Sequence, residues 1–207
     1  GENVMGKRIG RKRLYALNKL GEALTETAGA GISDSIGNST RIRSGQEIIS
    51  EITLDLANGT SAANSFATAG PVASAGATAA IGVSSSSGTH SNAYVLQIDN
   101  ATVAGTANGV VTSGELICVE APTGGENGIG VWYGTAESGS GAVMNSGGTA
   151  LLAVADQVVG KDGTFDVDVD IDNKYVYLVS SGSTGGTYTA GKFILRLYGF
   201  NVFDDVS

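Results

Sequence analysis

The sequence predicts an all-β protein: an antiparallel two-sheet sandwich or jelly roll, led by a basic arm and a short amphipathic helix. Three observations predict this. Apolar runs with period-two alternation recur at the spacing of sandwich strands. No βαβ rhythm or second helix interrupts them, and no repeat of fixed period is visible; a β-barrel of the same strands is the alternative. Finally, 32 glycines and long Ala/Ser/Thr tracts stand beside only two prolines, which suits a turn-dense β chain. At 207 residues the chain can bury a core without disulfides or metals.

The clearest element runs from Phe165 to Val179. Side chains on a strand alternate faces, so Phe165, Val167, Val169 and Ile171 make an apolar face, and Asp166, Asp168, Asp170 and Asp172 a charged one. Asp172-Asn173-Lys174 carries turn chemistry, and Tyr175 to Val179 is a second β-branched and aromatic run. Together they predict a hairpin in an antiparallel sheet with one wet side.

The other elements follow in order. Residues 1–45 are read as a basic arm and helix, and 46–207 as the β body. The tract of residues 6–13 leads into Leu14, Leu17, Leu20 and Leu24, apolar at helical spacing. A helix this short needs a surface to dock on. Residues 32–45 read as loop. Gln46 to Leu56 alternates as the first firm strand, and Ala79 to Val83 as a short one. Ala93 to Ile98, Gly109 to Glu120, Ile129 to Tyr133 and Thr149 to Val154 follow, with a turn cluster at 122–128. Tyr188 through Phe203 closes a set of eight to ten strands.

Charge is distributed unevenly. The net is −8, yet residues 1–43 hold eight Lys/Arg against four acids, and residues 44–207 four against sixteen. That is a basic arm on an acidic body. Lys7, Arg8, Arg11, Lys12 and Arg13, with Leu17, Leu20 and Leu24 behind them, are the candidate anchor. An acidic body is repelled by nucleic acid, and no aromatic platform for bases accompanies the tract. Docking on an acidic protein surface is therefore the expectation, on a sister copy or on another assembly.

Chemistry is sparse. Cys118 is the only cysteine and sits in an apolar run, so it reads as a buried hydrophobe. His90, the only histidine, has no Gly-x-Ser-x-Gly or His-x-x-His around it. Glu115 with Glu120, or Glu126 with Glu137, are the carboxylate pairs that a glycosidase would need. Trp132 and Tyr133 are the candidate platform of a carbohydrate-binding sandwich, the alternative reading. Asp166, Asp168 and Asp170 are calcium candidates, but alternate residues on a strand emerge about 7 Å apart, too far for all to grip one ion. A solvated acidic face is the leading reading of that strand, and pairing with the basic arm the next. No cofactor is expected. No apolar run approaches a membrane span, and the basic start lacks a signal peptide's apolar core.

Three segments carry a resemblance: Met5-Gly-Lys-Arg-Ile-Gly-Arg-Lys-Arg-Leu14, Glu120-Ala-Pro-Thr-Gly-Gly125, and Tyr188-Thr-Ala-Gly-Lys-Phe-Ile-Leu-Arg-Leu-Tyr-Gly199 with the ending Asp204-Asp205-Val206-Ser207. Together they resemble small virion structural proteins of tailed bacteriophages, especially marine ones. The resemblance implies a non-enzymatic capsid-decorating or fibre-like component of the virion, made in the cytoplasm of a bacterial host. It implies a homo-oligomer, a trimer being the expected number, that contacts other capsid proteins. It transfers no site residues.

Overall fold

The computed structural model describes residues 22–23, 32, 35–57, 79–81, 93–98, 110–135, 148–168, 171, 173–180 and 188–200. Among these there is no α-helix, and eleven strands form two antiparallel sheets. They are β1 (Glu22–Ala23), β2 (Ile36–Ser44), β3 (Glu47–Asp55), β4 (Ala79–Ala80), β5 (Leu96–Gln97), β6 (Val110–Thr123), β7 (Gly128–Gly134), β8 (Gly148–Asp156), β9 (Asp162–Asp166), β10 (Tyr175–Ser180) and β11 (Ala190–Phe200). The larger sheet has the order β1-β2-β3-β11-β6-β9. In the smaller, the order is β4-β10-β7-β8, and β5 pairs with the same strand β10. Because β7 occupies one edge of β10 along its whole length, β4 and β5 share the other edge.

The chain passes repeatedly from one sheet to the other. β6 leads to β7 through 124–127, β8 to β9 through 157–161, and β9 to β10 through 167–174. One apolar cluster lies between the sheets. Ile52, Leu54, Leu116, Phe165, Phe193, Leu195 and Leu197 come from the larger sheet, and Ile129, Val131, Val176 and Leu178 from the smaller. The alternation in β3 is the expected one: Ile48, Ser50, Ile52, Leu54 and the following Leu56 are all buried.

Three expectations are corrected. The Phe165–Val179 hairpin does not form: β9 pairs with β6 in one sheet and β10 with β7 in the other. The turn itself is real, since the Lys174 N–H donates to the Ile171 carbonyl (3.1 Å) and Asn173 takes φ 57°. Alternation shows that a run is a strand but not which strand it pairs with, and the intervening residues let the chain cross the sandwich. Nor is the smaller sheet wet on one side at β10, whose six residues are buried on both faces. A strand covered on both faces reads as an unbroken apolar run, as Tyr-Val-Tyr-Leu-Val does. Finally, residues 36–44, inside the stretch read as loop and arm, form β2 of the larger sheet, joined to β3 by a turn in which Gly45 takes φ 65°. Of the segment read as a helix, Glu22–Ala23 is extended and pairs with Thr40 and Arg41, and residues 14–21 and 24 lie outside the described residues.

Glycine makes room where β8 meets its neighbours. Against β7, β8 carries extra residues around Leu152, and the backbone there folds over Gly130. A Cβ on Gly130 would stand 2.6 Å from the Leu152 carbonyl oxygen and 2.9 Å from the Val154 nitrogen. A Cβ on Gly163 of β9 would instead meet a Leu152 methyl at 2.6 Å. Backbone cannot yield without moving the strand, whereas a leucine can rotate. Gly130→Ala should therefore cost about 2–3 kcal/mol and Gly163→Ala about 1 kcal/mol or less. Urea midpoints of the two variants check the order, and equal midpoints would contradict it.

Candidate functional site

The outer face of the larger sheet carries a group of interacting charged side chains. It is built by alternation: Phe193, Leu195 and Leu197 point inward, so Lys192, Ile194, Arg196, Tyr198 and Phe200 point outward. Strand register then sets rows across the sheet. Lys192 lies between Asp55 and Glu120, Ile194 between Thr53 and Ile117, Arg196 between Glu51 and Glu115, Tyr198 between Ile49 and Ser113, and Phe200 between Glu47 and Val110. On the flanking strands the rows continue to Asn38, Thr40, Ile42 and Ser44 of β2, and to Asp162, Thr164 and Asp166 of β9. Along β11 the Lys192 and Arg196 rows are charged and the Ile194 and Tyr198 rows apolar at their centre, the latter two ending on Asp162 and Asp166 of β9.

Two rows are ionic. Arg196 Nε donates to Glu51 Oε2 at 2.6 Å and Nη1 to Glu115 Oε1 at 2.9 Å, while the Tyr198 hydroxyl donates to the same Glu115 oxygen at 2.5 Å. Lys192 Nζ stands 3.3 Å from Glu120 and 3.7 Å from Asp55. The Lys192 row is open to solvent and adds little to stability. The Arg196 row is better protected, with Glu115 only 16% exposed. The Tyr198 hydrogen bond, joined by Arg196, holds the Glu115 carboxyl below its ordinary value against the opposing effect of burial. Burial and the Glu115 hydrogen bond push the Tyr198 hydroxyl up, and the two carboxylates push Arg196 up.

The residues singled out by sequence are scattered by the fold. Lys7, Arg8, Arg11, Lys12, Arg13, Leu17, Leu20 and Leu24 lie outside the described residues, as do His90, Glu137 and Asp170. Asp166 and Asp168 are exposed, and among the described residues no three His, Cys, Asp or Glu side chains gather as a metal site. Glu115 and Glu120 are each engaged by a different cation, Arg196 and Lys192, whose positions lie four residues apart along β11, roughly 13 Å. That exceeds the spacing of a glycosidase carboxylate pair. Trp132 and Tyr133 pair in register with Tyr177 and Val176, so they point to opposite faces and do not form one platform. Leu152, opposite Val131, packs on Gly163 of the larger sheet, so Tyr133 shares the inward side while Trp132 and Tyr177 face away from it. Trp132 Nε1 is buried without a hydrogen-bond partner among the described residues. Cys118 is buried as expected, and burial pushes its thiol up.

Two of the three segments that carry the resemblance meet at the β6–β7 crossing. The Thr189 N–H donates to the Thr123 carbonyl at 2.8 Å, and the two threonine hydroxyls lie 3.0 Å apart. The Tyr188 ring covers Gly125, where a Cβ would approach within 2.7 Å, and its hydroxyl donates to the Glu126 carbonyl at 3.0 Å. Compared with protein-family models, curated proteins and solved structures, the chain matches none.

Alternation sets Arg196 and Tyr198 on the face of β11 opposite Phe193, Leu195 and Leu197, but their partners come only from the fold, because Glu51 is 145 residues from Arg196 and Glu115 is 81. The geometry predicts a pH dependence. The folded-state pKa of Glu115 lies below its unfolded value near 4.5, so its contribution is fully present above that value and disappears as pH falls through the folded pKa. Glu115→Gln should flatten the loss of stability below pH about 4.5, read from urea titrations across pH 2.5–7. Arg196→Met leaves two carboxylates without their shared cation. It should cost about 1–2 kcal/mol at pH 7, allowing for partial exposure, and less once pH has fallen through the lowered pKa of Glu115.

Proposed function

We propose that this chain is a non-enzymatic structural protein of a virion, capsid-decorating or fibre-like, which holds its place by self-association and by its basic lead segment. The strand order carries the proposal. With β4 and β5 taken as one interrupted strand, the layers β3-β11-β6-β9 and β4/β5-β10-β7-β8 follow the order of an eight-stranded jelly roll. Jelly rolls serve as viral capsid and lectin domains. A fold hosts many functions, so the choice between these two rests on particular residues. Trp132 and Tyr133 diverge to opposite faces, which removes the platform a lectin reading needs. The cationic tract at Lys7, Arg8, Arg11, Lys12 and Arg13 precedes β1, which pairs with β2 at the edge of the larger sheet. A tether joined to a sheet edge suits attachment to an assembly.

On this reading the protein works in the virion, assembled in a bacterial host, as a homo-oligomer with a trimer as the expected number. Its action is positional: apolar and ionic contacts between copies are formed once and kept. Removing residues 1–21 stops short of β1. The truncated chain should keep its β-sheet circular dichroism and cooperative unfolding, but should run as a single chain in light scattering and lose its hold on the assembly. Normal assembly of the truncated chain would remove the anchor from the proposal.

A further inference from the structure

The proposed function leaves open which surface receives the arm. On the outer face of the larger sheet, Glu47, Glu51, Asp55, Glu115, Glu120, Asp162 and Asp166 stand against only Lys192 and Arg196 among the described residues. Seven carboxylates against two cations leave the face strongly acidic even after its internal pairs are formed. Glu47 and Asp166 are exposed, and the Glu120 side chain is 45% exposed. Between the charged rows lie half-buried apolar ones, Ile194 with Ile117 and Ile42 with Ile49 and Tyr198. The lead tract has the complementary make-up: five cations within residues 7–13, with Ile9 among them and Leu14 behind.

β1 marks where the chain joins the larger sheet. β1 runs antiparallel to β2, with Glu22 opposite Arg41 and Ala23 opposite Thr40. The chain therefore enters β1 from the Gly45 end of the sheet, where only residues 42–44 of β2 remain. Resting on the self-associating reading above, we infer that the lead tract of one copy docks on the outer face of the larger sheet of the next copy. Its cations would lie over the Glu47, Glu120 and Asp166 positions, and its apolar side chains over the isoleucine rows. Contacts of this kind are electrostatically steered and weaken as salt rises.

The test uses the full chain. Equal amounts of unlabelled and ¹⁵N-labelled protein are mixed, allowed to exchange, and coupled with a carbodiimide, which joins a lysine amine to a carboxylate without a spacer. Mass spectrometry should find Lys7 or Lys12 joined to carboxylates of the face such as Glu47 or Glu120, in pairs that combine light and heavy copies. Links confined to a single copy, or made only to carboxylates off this face, would overturn the inference. In parallel, Glu47→Lys with Glu120→Lys should weaken association at least about tenfold, as should Arg8→Glu with Arg11→Glu, and combining the two reversals should restore it. If reversing the face leaves association untouched while deletion of residues 1–21 abolishes it, the docking surface is wrong and the anchor stands. A full-length chain that stays solitary at every concentration and salt would remove both.

Discussion

The larger sheet depends on the insertion of β11 between β3 and β6. β11 follows the other described strands in the sequence, yet it lies in the middle of the sheet, paired with β3 along one edge and with β6 along the other. Until it is seated, β3 and β6 each have an unpaired edge, and the inward faces of Phe193, Leu195 and Leu197 are missing from the core. Joining strands so far apart in sequence costs loop-closure entropy before the contacts repay it, which makes such topologies slow to form. The ionic rows assemble in the same step, because both cations are on β11 and their carboxylates on its neighbours. A slip of one residue would turn Lys192 and Arg196 into the core and the leucines out. The charges thus help to specify the register that the apolar pattern demands.

Much of this architecture was legible from alternation. β3 and β11 fall within runs that sequence reasoning marked as strands, β6, β7 and β8 overlap such runs and extend one to three residues beyond them, and the cluster at 122–128 contains the turn between β6 and β7. β2 was illegible because Ile-Gly-Asn-Ser-Thr-Arg-Ile-Arg-Ser has the composition of a loop. Its strand conformation is imposed by hydrogen bonding to β3, a tertiary effect that outweighs local preference. The Phe165–Val179 segment failed in the opposite way. Its strands and turn were readable, but the partners were not, because period two is the same whichever strand lies alongside. The outer-face site was half legible: outward positions on β11 followed from the pattern, but the identity of Glu51 and Glu115 as partners required the fold.

The two sheets present different surfaces. β10 is buried on both faces, whereas the larger sheet keeps one face open, with its carboxylates and isoleucines in rows. The segments that carry the resemblance serve packing where they are described. Tyr188 closes over Gly125, and Thr189 binds Thr123, fixing the crossing between the sheets. A tyrosine in that place needs a glycine beneath it, which accounts for both residue types by space alone.

The docking proposed between the lead tract of one copy and the sheet face of the next would give the molecule a head and a tail. A contact made between unlike surfaces carries polarity: each copy offers what the next accepts, and no copy can satisfy its neighbour in return through the same patch. Such a contact closes only if the rotation between copies divides evenly into a full circle, and otherwise runs on as an open helix. For the docking proposed above, ring or thread would then be decided by one angle between neighbouring copies.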